Sequence, residues 1–377
     1  GSVPGRARST GEACVFGAAP NCVLEPLKIF DSQDHSTTTL PRPNASHATW
    51  TWSSHLSPRR DYVVYAPHDL GDAPDSDELK ADDYQLWIQD VRSGVFVRRI
   101  NLLSAAAVAE IAKAEREWDG AIPSSPVLGV ARSPSEHMAW SPDGRYFAFA
   151  AASDGPTADL FVFDTQTISL RRLTTDSMSL GLLFWSPDSQ RVVARELLDY
   201  HPYPDGNCDF CSPGRTVVIS VADGGMVRLE GPLGIHLAGW SSPQSFLTFA
   251  APFEAPPMDL GEADLGAAEI HEVFPGAFAD VAIVSTTGDI WLSYWSRDPY
   301  MHFERADGLY RLNRESGAVE PWALGAEWAG GLTYLREWDA LAVWSATQPK
   351  GLRVLNADGT ERFRLTGLDP QARVEET

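Results

Sequence analysis

The chain has 377 residues, 44% of them hydrophobic, and a formal net charge of −21. That length can bury a large core within one domain, while the charge excludes nucleic acid and anionic membrane as partners because both would repel it. No apolar run reaches the roughly 18 residues of a membrane-crossing helix, so direct membrane insertion is not expected.

Residues 1–45 are rich in Ser, Thr, Pro and Gly and read as an irregular N-terminal segment. Within it only CVLEPLKIF, Cys22 to Phe30, has strand character, either adding an outer strand to the last sheet or capping one end. From residue 46 to 377 the chain reads as one domain. ATWTWSS, DYVVYAP, YQLWIQD and FVRRINL, between Ala48 and Leu103, supply four alternating strands. The acidic loop HDLGDAPDSDELKADD separates the second from the third. Asp72, Asp75 and Asp77 in that loop lack the spacing of a calcium-binding loop, so no metal is expected there. Ser104 to Trp118, SAAAVAEIAKAEREW, predicts one helix capped by Ser104.

The clearest repeat runs from His137 to Asp176. Met138–Ser141 is a first strand, Pro142-Asp143-Gly144 a tight turn, and Arg145–Ala151 a second strand. Asp159–Asp164 (DLFVFD) is a third strand and Ser169–Thr174 a fourth. The opening recurs as Trp185-Ser186-Pro187-Asp188 and, more weakly, as Trp240-Ser241-Ser242-Pro243. The third repeat spans about Leu180 to Gly231, with LLDYHPYPDGNCDFCSPG between its middle strands. A fourth begins at Leu237 and enters an insertion over 252–278, where outer strands are not legible. DVAIVS, IWLSYWS, GLYRLNR and VEPWAL make a fifth, in preference to a parse in which DVAIVSTTGDI mirrors DLFVFDTQTIS and closes the fourth. LTYLREW, ALAVWSA, GLRVLNA and RFRLTG make the last. One four-stranded meander every roughly 40 to 50 residues is the signature of an all-β fold, a β-propeller of about six blades.

The W-S-P-D-G turn at Trp140–Gly144, the aromatic strand after it, DLFVFD and R-R-L-T at Arg171–Thr174 resemble the TolB-type (WD40-like) β-propeller repeat. That repeat occurs in the periplasmic TolB protein and in propeller domains of prolyl oligopeptidase-like enzymes. The resemblance implies a propeller fold, an extracytoplasmic location (periplasmic, secreted or cell-surface) and interaction with other proteins in the bacterial envelope. No counterpart of TolB's N-terminal α/β domain is recognisable. Trp140, Trp185 and Trp240 read as packing residues and Asp143 and Asp188 as turn residues. The cysteines fall into two local pairs, Cys14 with Cys22 and Cys208 with Cys211. Two local disulfides in an exported protein fit this better than a zinc site or a redox pair.

In such a meander the turns joining strands one to two and three to four share one end, and the two-to-three connections share the other with the links between blades. The long segments 68–83, 198–214, 252–278 and 296–307 all belong to the second set, where binding residues usually lie. Two of them combine Tyr, His and carboxylate around Pro. The candidate ligand- or partner-binding residues are therefore Tyr200, His201, Tyr203, Asp205, Asp298, Tyr300, His302, Phe303 and Glu304. Their aromatics suit stacking on a sugar or anchoring a protein partner. Their carboxylates and histidines also suit hydrolase or lyase chemistry on glycans or small esters. No G-x-S-x-G, H-E-x-x-H or phosphate loop is present. The expected function is thus a protein- or glycan-binding module, with a propeller enzyme acting on glycans or small esters as the alternative, no cofactor, and oligomeric state open.

Overall fold

The computed structural model describes residues 27–30, 37–41, 52–67, 84–116, 137–155, 158–175, 179–197, 214–230, 236–249, 260–274, 280–284, 288–294, 306–314, 316–324, 331–335, 338–344, 351–356 and 360–366. A hairpin of β1 (Leu27–Phe30) and β2 (Thr37–Leu40) precedes six four-stranded sheets. Blade one is β3 (Trp52–Leu56), β4 (Tyr62–Pro67), β5 (Gln85–Asp90) and β6 (Phe96–Asn101). Helix α1 (Ala105–Arg116) follows. Blade two is β7 (Met138–Trp140), β8 (Tyr146–Ala151), β9 (Asp159–Asp164) and β10 (Ser169–Arg172). Blade three is β11 (Ser179–Trp185), β12 (Arg191–Leu197), β13 (Gly214–Ser220) and β14 (Met226–Arg228). Blade four is β15 (His236–Ser242), β16 (Ser245–Phe249), β17 (Leu260–Asp264) and β18 (Glu269–Phe274). Blade five is β19 (Asp280–Val284), β20 (Asp289–Tyr294), β21 (Gly308–Leu312) and β22 (Val319–Leu324). Blade six is β23 (Leu332–Leu335), β24 (Ala340–Trp344), β25 (Gly351–Asn356) and β26 (Glu361–Thr366).

Each sheet is an up-and-down meander whose spatial order follows the chain. The preferred parse of blade five holds. Blade four corrects the sequence reading: LGEAD and EIHEVF, expected to lie in an insertion over 252–278, are its third and fourth strands. Gly, Glu and Asp disfavour a strand, but β16 pairs with β17 from Ser245↔Asp264 to Phe249↔Leu260, and Leu260 and Ala263 are fully buried. Pairing and burial override propensity there. The first strand of blade one is also displaced, to Trp52–Leu56.

The short-turn end repeats its chemistry. Ser141 N donates to Tyr146 O, and Ser141 Oγ accepts from Tyr146 N at 2.8 Å. Ser57 does the same with Tyr62, at 2.9 Å and 3.1 Å. The left-handed position of this turn is Gly144 in blade two (φ 66°), Arg60 in blade one (φ 59°) and Ser189 in blade three (φ 59°). Third strands end on a side chain that caps the next turn. Asp90 Oδ1 accepts from Ser93 N at 2.6 Å, Asp164 Oδ1 from Gln166 N at 2.8 Å and Asp264 Oδ1 from Gly266 N at 2.7 Å. Burial pushes the Asp164 carboxyl up, but hydrogen bonds from Arg145 and Gln166 outweigh it and hold it below the usual carboxylate range. Part of the chain's acidity is thus turn chemistry.

The turns closing blades one and three place glycine at positive φ, Gly94 (69°) and Gly224 (76°). A Cβ on Gly94 meets nothing within 4 Å, whereas on Gly224 it falls 2.5 Å from the carbonyl oxygen of Leu173. Gly94→Ala should cost about 1–2 kcal/mol from its left-handed backbone alone. Gly224→Ala should cost a further ~1–3 kcal/mol for the clash. Paired urea melts check this, and equal losses at the two sites would contradict the packing described.

The chain divides into two compact units. In the first, the indole Nε1 of Trp140 donates to His55 O at 3.0 Å and that of Trp185 to Ala139 O at 2.9 Å. Trp140 and Trp185 thus each reach back to the first strand of the preceding blade. Tyr146 stacks on Trp185 at 6.1 Å. Phe147, Phe149 and Phe163 are fully buried, each contributing about 2–3 kcal/mol. Helix α1 starts as expected, with Ser104 Oγ accepting from Ala107 N at 3.0 Å and donating to Gly155 O at 2.8 Å. The β1–β2 hairpin buries Leu27, Ile29 and Leu40 against Val63, Tyr65 and Trp87 of blade one. Among the described residues β1 pairs with β2 and not with β26. The second unit packs Leu247, Leu260, Ile283, Ile290 and Leu292 between blades four and five, and Trp291, Leu309, Leu341 and Val343 between blades five and six.

Candidate functional site

Within each blade, the connection from second to third strand leaves from the end where the first strand begins. Pro67 to Gln85, Leu197 to Gly214, Phe249 to Leu260 and Tyr294 to Gly308 are bridged there by long segments. At the opposite end Leu56 to Tyr62, Asp90 to Phe96, Asp164 to Ser169 and Ser242 to Ser245 are joined by short turns.

Tyr200, His201, Tyr203 and Asp205 belong to the β12–β13 connection. Asp298, Tyr300, His302, Phe303 and Glu304 belong to the β20–β21 connection. All of them lie outside the described residues, as do Cys14, Cys22, Cys208, Cys211, Asp72, Asp75 and Asp77. The described site is the frame from which these connections spring.

In the first unit that frame is polar and internally satisfied. Asp159 opens β9 with its side chain 1% exposed. Its Oδ1 accepts from Thr174 Oγ1 at 2.8 Å and its Oδ2 takes the Arg172 guanidinium at 2.6 Å. Burial pushes its carboxyl up, and Thr174 and Arg172 offset only part of that. Arg172 also bridges to Asp154 in the β8–β9 connection. Across β5 and β6, Gln85 Nε2 donates to Asn101 Oδ1 at 2.8 Å.

In the second unit the frame is drier. Asp280 opens β19, with Oδ1 accepting from Val281 N at 2.8 Å and Oδ2 from Leu332 N at 2.7 Å. Leu332 begins β23, so the carboxylate ties the first strands of blades five and six together. Burial pushes its pKa up to about 6, against the lowering effect of the two backbone donors. The β20–β21 connection is gripped at both ends. Tyr294 and Tyr310 are buried edge to face, 4.8 Å apart, and Tyr310 Oη donates to Ala306 O at 2.9 Å. Gly308 holds φ 147°, with Ala323 O where a side chain would stand.

Asp159 and Asp280 were not singled out from the sequence. The available signal was an Ala-Asp pair, Ala158-Asp159 and Ala279-Asp280, immediately before an apolar run. Both carboxylates are committed to Arg, Thr or backbone donors. Among the described residues no three His, Cys, Asp or Glu side chains gather as metal ligands. The described carboxylates at this end thus serve the frame itself, joining neighbouring strands.

No protein-family model matches the chain. Over 54 residues it is 35% identical to the uncharacterized peptidase YuxL of Bacillus subtilis (strain 168), covering 14% of this chain and 8% of that protein. Among solved structures, a prolyl endopeptidase is similar with a TM-score of 0.55 at 15% identity, over 92% of this chain and 47% of that one. TolB from Acinetobacter baumannii is similar with a TM-score of 0.43 at 11% identity, over 93% of this chain and 77% of that one. The chain thus spans less than two thirds of the peptidase relative and of the prolyl endopeptidase. At these structural identities the likeness is one of fold. Six four-stranded antiparallel meanders make the chain a β-propeller, and its resemblance to the TolB-type repeat holds for the fold.

Proposed function

We propose that this β-propeller is an extracytoplasmic binding module that holds a protein partner on the connections between second and third strands. The observation that carries this reading is one-sidedness: in blades one, three, four and five the long segments all leave from the same strand end, while the turns at the other end stay short in every blade. Long segments on a rigid frame are where binding groups concentrate. Tyr200, Tyr203, Tyr300 and Phe303 supply the anchors, because aromatic side chains dominate the energetics of protein interfaces. The −21 charge steers a basic partner toward the chain without fixing where it docks. Envelope location and a protein partner follow from resemblance to the TolB-type repeat, and a glycan is the alternative ligand for the same aromatics.

The test is capture of partners from an envelope extract, with a glycan array in parallel, followed by binding kinetics on variants. Replacing Tyr203 and Tyr300 by alanine should weaken binding by about 2 kcal/mol or more. Neutralising Asp72, Asp75 and Asp77 should instead slow association and flatten its salt dependence, since exposed charges act mainly on encounter. Normal binding by the tyrosine variant together with lost binding by the aspartate variant would move the site to the acidic connection of blade one.

A second reading rests on the YuxL and prolyl endopeptidase matches, which make a propeller within a larger hydrolase the competing role. Labelling of the full-length gene product by a fluorophosphonate serine-hydrolase probe would favour it.

A further inference from the structure

We infer that β2 is a docking edge, to which an extended basic segment of another protein adds as a third strand beside the N-terminal hairpin. The first support is where the hairpin sits. Tyr62 Oη donates to Thr165 O of blade two at 3.4 Å, so strand alternation turns Tyr62, Val64 and Ala66 toward blade two. Val63 and Tyr65 point the other way and are buried against Leu27, Ile29 and Leu40. In blade two the residue at the place of Val63 is Phe147, whose ring lies 6.3 Å from His55 of blade one. The hairpin therefore occupies on blade one the position that blade one occupies on blade two, with two strands where a blade has four.

The second support is the character of the edge. Outer strands are protected from further pairing by charge or proline, and every blade here follows that rule. Arg98 and Arg99 stand in β6, Arg171 and Arg172 in β10, Arg228 in β14, Glu269 and Glu272 in β18, Glu320 and Pro321 in β22, and Glu361 and Arg362 in β26. β2 has neither. Thr37, Thr38 and Thr39 are exposed, Leu40 is buried, and among the described residues β2 pairs with β1 alone. β-branched threonines hold the strand extended. Gln89 Nε2, donating to Pro41 O at 3.1 Å, fixes its end to blade one.

Charge selects the occupant. A second copy carries the same net charge of −21 and is repelled by the chain as a whole, whereas a lysine- or arginine-bearing strand is attracted to it. Strand addition then takes its affinity from main-chain hydrogen bonds. This docking edge does not depend on the loop-end site.

The probe is a seven-residue acetylated peptide of alternating Lys and Val, tested on the full chain by fluorescence anisotropy and amide hydrogen exchange. Saturable binding that slows exchange at residues 37–40 is expected. A Glu–Val counterpart and a Lys–Val peptide N-methylated at alternate residues should each bind at least ~10-fold more weakly. Of Thr38→Pro and Thr39→Pro, the one whose amide points away from β1 should abolish binding while the protection of β1 persists. Equal binding of the N-methylated peptide would reduce the effect to charge attraction and overturn the proposal. Absent binding, protection elsewhere, or β2 protection that rises with protein concentration without peptide would overturn it as well, the last by placing a second copy on the edge.

Discussion

Trp185→Ala should lower the unfolding free energy by about 3–5 kcal/mol, the ordinary cost of truncating a buried tryptophan. Trp185 is 8% exposed, stacks on Tyr146 and donates to Ala139 O, so the substitution opens a cavity between blades two and three and removes a blade-to-blade hydrogen bond. Trp185→Phe separates the two effects. It keeps the ring in the stack and leaves the Ala139 carbonyl without its indole donor, at a cost of about 1–3 kcal/mol. Urea denaturation followed by tryptophan fluorescence and circular dichroism gives both values. If the alanine variant lost less than the phenylalanine variant, the tryptophan would not be the strut described.

Asp280→Asn should change how stability depends on pH. The folded carboxyl has its pKa raised from 3.8 to about 6, so the native chain holds that proton more tightly than the unfolded chain. The stability from this proton is fully present below about pH 4 and is lost as pH rises through about 6. Two pKa units correspond to about 3 kcal/mol over that window. Asparagine does not titrate, so the loss disappears. Its amide can accept from only one of the two backbone donors, Val281 N or Leu332 N, at a pH-independent cost of about 1–3 kcal/mol. The variant should therefore gain about 3 kcal/mol on the wild type between pH 4 and pH 7, whatever its offset. Comparing the pair at each pH cancels the other titrating groups, Asp159 among them. A constant difference across the range would show that Asp280 does not titrate in that window.

What was legible in the sequence is what local chemistry controls. Blade two was readable because W-S-P-D-G carries its own turn geometry and DLFVFD its own burial: Phe161, Val162 and Phe163 are all buried. Blade one hides the same turn as Ser57-Pro58-Arg59-Arg60-Asp61, in which Arg60 takes the left-handed position that glycine advertises elsewhere. Its first strand was consequently placed too early. β17 was illegible because nothing local favours a strand in LGEAD; the strand exists through its partners β16 and β18. Asp159 and Asp280 share a local pattern but open a third and a first strand respectively, which is why two parses of the region after Phe278 competed. Their burial comes from neighbours distant in sequence, such as Leu332, and no local pattern encodes it. The candidate binding residues were chosen from composition and loop length alone, which fix a location in the topology but no geometry.

The direction of the tryptophan bonds has a consequence for synthesis. Trp140 finds His55, and Trp185 finds Ala139; in both pairs the acceptor lies earlier in the chain than the donor. A chain emerging from the ribosome N-terminus first has each acceptor strand in place before the indole that needs it is made. Blades one to three can therefore be added in order, each new blade docking on a finished one, and an interrupted chain leaves no indole among these waiting for a carbonyl that has yet to be translated.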